Sequence, residues 1–132
     1  MIENIVSEVN SYLEEIQNFS RDMAQDATAL HEYLIRLTNI MARCNQLMAE
    51  WKRVNREETV VAYQNLQVSL LSQKKNFSPS MAKDYVNAKC SESGYLYDLA
   101  ERCSRLCTHT IDAIRTVISS LKSEREFAQF SQ

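Results

Sequence analysis

The first 78 residues contain neither glycine nor proline, and the full 132-residue sequence holds one of each, Gly94 and Pro79. Globular domains devote about 12% of their residues to these two types, and strand-rich folds need them for tight turns. A chain with so few turn-formers is predicted to be all-α, built from long helices.

The apolar pattern agrees. Ile2, Val9, Ile16, Met23, Leu30, Leu37, Cys44 and Trp51 recur every seven residues. A second row, Val6, Leu13, Ser20, Ala27, Leu34, Met41 and Met48, follows each by four. Alternating steps of four and three mark the seam of a left-handed coiled coil. Beyond Trp51 the stripe slips onto Val54, Val61 and Val68, as a stammer does. The spacing predicts one helix over about 2–71, with the polar stretch 18–26 as the place for a kink. The segment 72–80 reads as a turn. Ser78 before Pro79 reads as a helix start, with a capping hydroxyl and a proline at the first helical position. A last helix is expected over about 79–127, with Gly94 marking a kink or a close helix contact. The expectation is a single unit over 1–132, a long helical hairpin with a coiled-coil-like seam. Apolar residues beyond that seam, such as Ile5, Ile40, Ile111 and Ile118, need further cover, so assembly with other copies into an oligomeric helical bundle is expected.

Charge segregates along the chain. Residues 1–32 carry seven acids against Arg21, whereas residues 33–89 carry nine bases against four acids. Such a division can orient neighbouring subunits or present a basic face to a polyanion. The start of the chain lacks a basic, then apolar, leader pattern, and no stretch approaches the ~20 apolar residues of a membrane span. A reducing cytoplasm is the expected setting, with Cys44, Cys90, Cys103 and Cys107 as free thiols. Cys44 and Cys107 fall in the seams, where cysteine behaves as a small apolar residue. The alternative, a zinc site drawn from these thiols with His31 or His109, has weak spacing support. No glycine loop can cradle phosphates, and the two histidines offer no catalytic constellation. No enzymatic activity, cofactor or metal is expected.

Lys52, Arg53 and Arg56 beside Trp51 combine cations with an aromatic ring, as single-stranded nucleic acid sites do. Lys74 and Lys75 with Phe77 repeat the combination at the turn. Trp51 also lies in the seam row, so core packing is the competing reading.

Tyr97, Leu99, Cys103-Ser104, Ile111, Asp112-Ala113-Ile114-Arg115, Ile118 and Arg125-Glu126-Phe127 resemble the ending of the UvsY recombination mediators of tailed phages. The resemblance covers about 35 residues of the last helix. It implies a ring-like homo-oligomer that binds single-stranded DNA in the host cytoplasm. Such mediators help load a RecA-type recombinase onto strands coated by a single-strand-binding protein. It also implies assembly through the last helix, where Ile114, Val117, Ile118 and Leu121 would hold subunits together. DNA contact would then fall to the basic residues before that helix, by position Lys52, Arg53 and Arg56. The alternative is a helical scaffold or adaptor that binds a protein partner without nucleic acid. Phage structural components, chaperones and host-factor inhibitors belong to that class, with the Met41 and Met48 region as the expected contact.

Overall fold

The computed structural model describes residues 2–21 and 26–130. It is all-α, with no strand among the described residues. Four helices follow one another: α1 (Ile2–Arg21), α2 (Ala27–Gln73), α3 (Pro79–Lys89) and α4 (Ser91–Phe130). No described helix is long and apolar enough to cross a membrane.

Helix α2 is the spine, about 70 Å long at 1.5 Å per residue. It starts at Asp26, whose carboxylate accepts the Thr28 backbone N–H at 3.1 Å, satisfying a donor that the first helical turn leaves open. It ends at Lys74, which takes the left-handed conformation (φ 54°) and donates its N–H to carbonyls of the last turn. The chain then turns through residues 74–78. Ser78 accepts the Met81 N–H at 3.2 Å, and Pro79 opens α3 as the sequence predicts. Helices α3 and α4 return antiparallel along α2. Ser104 bonds Asn45 at 2.7 Å, and the Thr108 hydroxyl lies 3.6 Å from the Met41 sulfur.

The expected single helix over 2–71 is two helices. Residues 22–25, at the centre of the stretch proposed for a kink, lie outside the described residues. On either side of them, α1 and α2 run antiparallel. Glu8 is held by Arg43 and Glu15 by Arg36, each through two hydrogen bonds of 2.7–3.2 Å. Tyr12 and the stacked pair Phe19–Tyr33, with centroids 4.5 Å apart, fill in beside these ion pairs. The hairpin is therefore a three-helix bundle over half its length. Its main core takes Val9 and Ile16 from α1, Leu30, Leu37, Ile40, Cys44 and Leu47 from α2, and Leu99 to Ile114 from α4.

Two helices packed on α2 explain why its buried stripe is wider than one seam. The row Leu30, Leu37 and Cys44 is buried, and so are Ile40 and Leu47. Met41 and Met48 are half-buried against the same core, so they are not the open contact surface expected for a partner. Ile114 is wholly buried inside the chain, and Val117, Ile118 and Leu121 pack against the core. Ile114 has no surface left for another subunit, whereas Val117, Ile118 and Leu121 stay half-buried, with Val117 and Leu121 lining a small open cleft.

The far half is thinner. A second, smaller core joins Leu66 of α2 to Val86 and Cys90, with Ala62, Leu70, Phe77 and Ala82 around it. Only two helices meet there, and Val60, Val61, Val68 and Leu71 remain exposed.

The guanidinium of Arg43, with a further hydrogen bond from Tyr12, holds the Glu8 carboxyl below its ordinary value despite some desolvation. A lowered folded-state value stabilises the fold fully above the unfolded value of about 4.3, and the contribution is lost as pH falls through the lowered value. Glu8→Gln should therefore cost about 0.5–1 kcal/mol at neutral pH, the scale of a partly exposed pair. Urea unfolding should show the difference closing in acid.

Candidate functional site

A concavity lies on α2 beyond the reach of α1. Arg36 and Arg43, which grip α1, belong to a seven-residue row that continues through Glu50 to Glu57. From the pairs Glu15–Arg36 and Glu8–Arg43, the start of α1 lies roughly level with residue 49 of α2. About two turns further on, the same flank of α2 opens into a groove of about 660 Å³. Glu57, Val61, Leu66 and Ser69 of α2 form one wall, and Tyr85 and Lys89 of α3 the other. Tyr85 is braced by Phe77 edge-on at 6.3 Å and by the Lys89 ammonium at 5.5 Å. The groove is thus the third-helix position of the bundle, left open in the far half.

A polar hinge fixes its inner end. The Asn55 amide donates to the Cys90 carbonyl at 3.3 Å and to the buried Ser93 hydroxyl at 3.0 Å. Ser93 in turn lies 2.9 Å from a Glu58 carboxylate oxygen and 3.1 Å from the Cys90 carbonyl. Side chains inserted against a helix carbonyl are a known cause of helix breaks, and the α3–α4 break falls at Cys90. Gly94, expected to mark a kink or a close helix contact, marks no break: it sits inside regular helix, facing Asn55 of α2. A Cβ there would meet Asn55 at an ordinary 3.7 Å.

The basic residues singled out in the sequence do not form one surface. Lys52 and Arg56 share a shallow cleft with Gly94, Tyr97 and Asp98 on the flank opposite the groove. Arg53 points away from that cleft and is paired with Glu57 at 3.1 Å, both side chains well exposed. Nearby, Arg105 is tied to Glu101 at 2.6 Å. Acids therefore interleave with the cations here, Glu57 at Arg53, Glu101 at Arg105 and Asp98 in the cleft of Lys52 and Arg56. Lys74 and Lys75 lie in the turn, about 30 Å further along α2 at helical rise. Trp51 is half-buried against the main core, and its indole N–H is buried with no hydrogen-bond partner among the described residues. Its ring is packing, not a free platform for a base.

Three of the four cysteines, Cys44, Cys103 and Cys107, meet in the main core; Cys90 belongs to the smaller one. Hydrogen bonds to Cys107 and Cys44, together with burial, hold the Cys103 thiol far above the usual thiol range, so it packs as a neutral group. Among the described residues, no group of three or more His, Cys, Asp or Glu side chains is placed to hold a metal ion. His31 and His109 are exposed on separate helices.

Sequence reasoning passed over the groove, although its signal was present: the slipped row Val54, Val61 and Val68 marks an apolar stripe that α3 and α4 leave uncovered. Comparison with known proteins found no matching family model, no matching curated protein and no matching solved structure. The chain is thus defined by its fold, a partly completed three-helix bundle.

An unpartnered buried N–H costs about 1–3 kcal/mol. Trp51→Phe keeps an aromatic ring in the seam and removes that group. The variant should melt no lower than wild type in a thermal scan; a clear loss of stability would mean that the indole N–H has a partner in solution.

Proposed function

We propose that the chain is a helical assembly protein that takes an amphipathic helix of a protein partner into the α2–α3 groove. The single observation that carries this reading is the groove's position, in line with α1 on the same flank of α2. A helix seated there would complete the three-helix cross-section and cover Val61 and Tyr85. Recognition of this kind uses an apolar stripe on the incoming helix laid against an apolar floor, with charges at the rim. The rim here offers both signs, Glu57 and Glu58 on α2 and Lys89 on α3. Photo-crosslinking tests it. A benzophenone amino acid placed at Val61 or Asn65 should give discrete protein adducts in cells, and one at Lys52 should give none. Equal yields at all three positions, or none at Val61 and Asn65, would count against the groove.

A second reading keeps one specific observation. Lys52 and Arg56 remain exposed beside Tyr97, a small cleft with two cations and an aromatic, as a single-stranded DNA contact needs. On this reading the chain acts as a recombination mediator for a RecA-type recombinase and its single-strand-binding protein, as the resemblance of the last helix implies. The interleaved acids weigh against it. Fluorescence anisotropy with a labelled single-stranded oligonucleotide decides. This reading requires tight binding that weakens steeply with salt and is lost in the Lys52→Glu, Arg56→Glu double variant, whereas the groove reading expects that variant to behave as wild type.

A further inference from the structure

The α3 wall of the groove is held in place from outside its own helix. Between Pro79 and Gly94 the sequence contains no glycine or proline, so nothing local stops α3 from running straight into α4. The helical bonds also keep step across the break. The Cys90 N–H donates to the Val86 carbonyl at 3.0 Å, and the Gly94 N–H to the Cys90 carbonyl at 3.2 Å. The departure falls on Cys90, whose φ of −105° and ψ of 20° contrast with about −63° and −42° in a regular helix. Rotation at this one residue would join α3 and α4 into a single straight helix.

The polar cluster beneath the break opposes that rotation. Asn55 of α2 donates to the Cys90 carbonyl and to the Ser93 hydroxyl, which gives its own proton to Glu58 of α2. The apolar hold on α3 is light by comparison. Val86 is the buried residue of this helix, and with Cys90 at its end it meets Leu66. A helix of 11 residues is also too short to be stable by itself.

We propose that α3 is a hinged wall with two positions, bent at Cys90 to shape the groove, or straightened into α4 and withdrawn from α2. The cluster of Asn55, Ser93 and Glu58 is the latch that selects the bent one. Glu58 and Cys90 belong to both parts, since each lines the groove and each takes a hydrogen bond of the latch. An occupant that needs the wall of Tyr85 and Lys89 binds the bent position and so tightens the latch. Linkage works in both directions, and a broken latch weakens the occupant by the same factor. Asn55 and Ser93 line no part of the groove, so they act on it as positioning residues.

This inference rests on the groove as a helix-binding site, and the experiment separates the two. Spin labels on ketone-bearing residues would replace Gln67 of α2 and Asn87 of α3, both exposed, leaving the native thiols untouched. Double electron–electron resonance would be run on the full-length chain and on its Asn55→Ala and Ser93→Ala variants. Ser93→Ala removes only a hydroxyl and carries the test if Asn55→Ala does not fold. Wild type should give one narrow distance, and the variants a longer and broader distribution. Helix content by circular dichroism should not fall, because α3 joins α4 instead of unfolding. Benzophenone adducts at Val61 and Asn65 should drop several-fold in the same variants. An unchanged distance in the folded variants, a shift accompanied by lost helix content, or a shift with adducts at wild-type yield would overturn the latch. A shifted distance with no adducts even in wild type would keep the hinge and retire the groove as a helix site. An unchanged distance with adducts throughout would do the reverse.

Discussion

The seam between α2 and α4 is the contact on which every other part of the structure is mounted. Ile40, Cys44 and Leu47 meet Ala100, Cys103 and Cys107 there with almost no exposed surface. Burying a side chain of this size contributes about 1.5–3 kcal/mol, and close packing makes each position sensitive to a change in volume. The same seam creates the unsolved part of the fold. Two helices in contact leave a groove along each flank, and a wide apolar stripe on α2 needs one of them filled. Helix α1 fills it over one half, with Glu8 and Glu15 locking onto Arg43 and Arg36. Over the other half nothing within the described chain does.

The segregated charge of the sequence finds a physical use in this arrangement. The acidic start of the chain is α1, and the first two bases of the following segment are the residues that hold it. A basic stretch that looked suited to a polyanion is thereby partly neutralised within the molecule. What remains is divided among several places: Lys52 and Arg56 on one flank, Lys74 and Lys75 at the turn, and Lys83 and Lys89 on α3.

Much of the fold was legible in the residues, and the exceptions have definite causes. The scarcity of turn-formers and the seven-residue rows led directly to long helices, and Ser78-Pro79 marked the start of α3 to the residue. The fold-back of α1 was hidden because the rows pass through residues 16–30 in the same phase that a continuous helix would have. Asp26, a strong N-cap type two residues before Thr28, was the available sign. The break at Cys90 could not be read locally, since the amide that holds its carbonyl belongs to Asn55, on another helix. The candidate sites fared differently. Trp51 was drawn into the core by the same row that made it visible, and Ile114 was spent within the chain because α1 and α2 together close over it. Of the slipped row Val54, Val61 and Val68, only Val61 lines the groove, and an apolar residue marks a site only when the fold leaves it uncovered.

Hydrogen–deuterium exchange with and without the partner that the groove captures tests the central claim most directly, because protection reports which backbone segments gain cover. The account predicts that the gain on binding falls on residues 57–69 of α2 and on α3, with α1 and the middle of α4 unchanged. Protection gained instead around Lys52, Arg56 and Tyr97, with the groove unchanged, would contradict it.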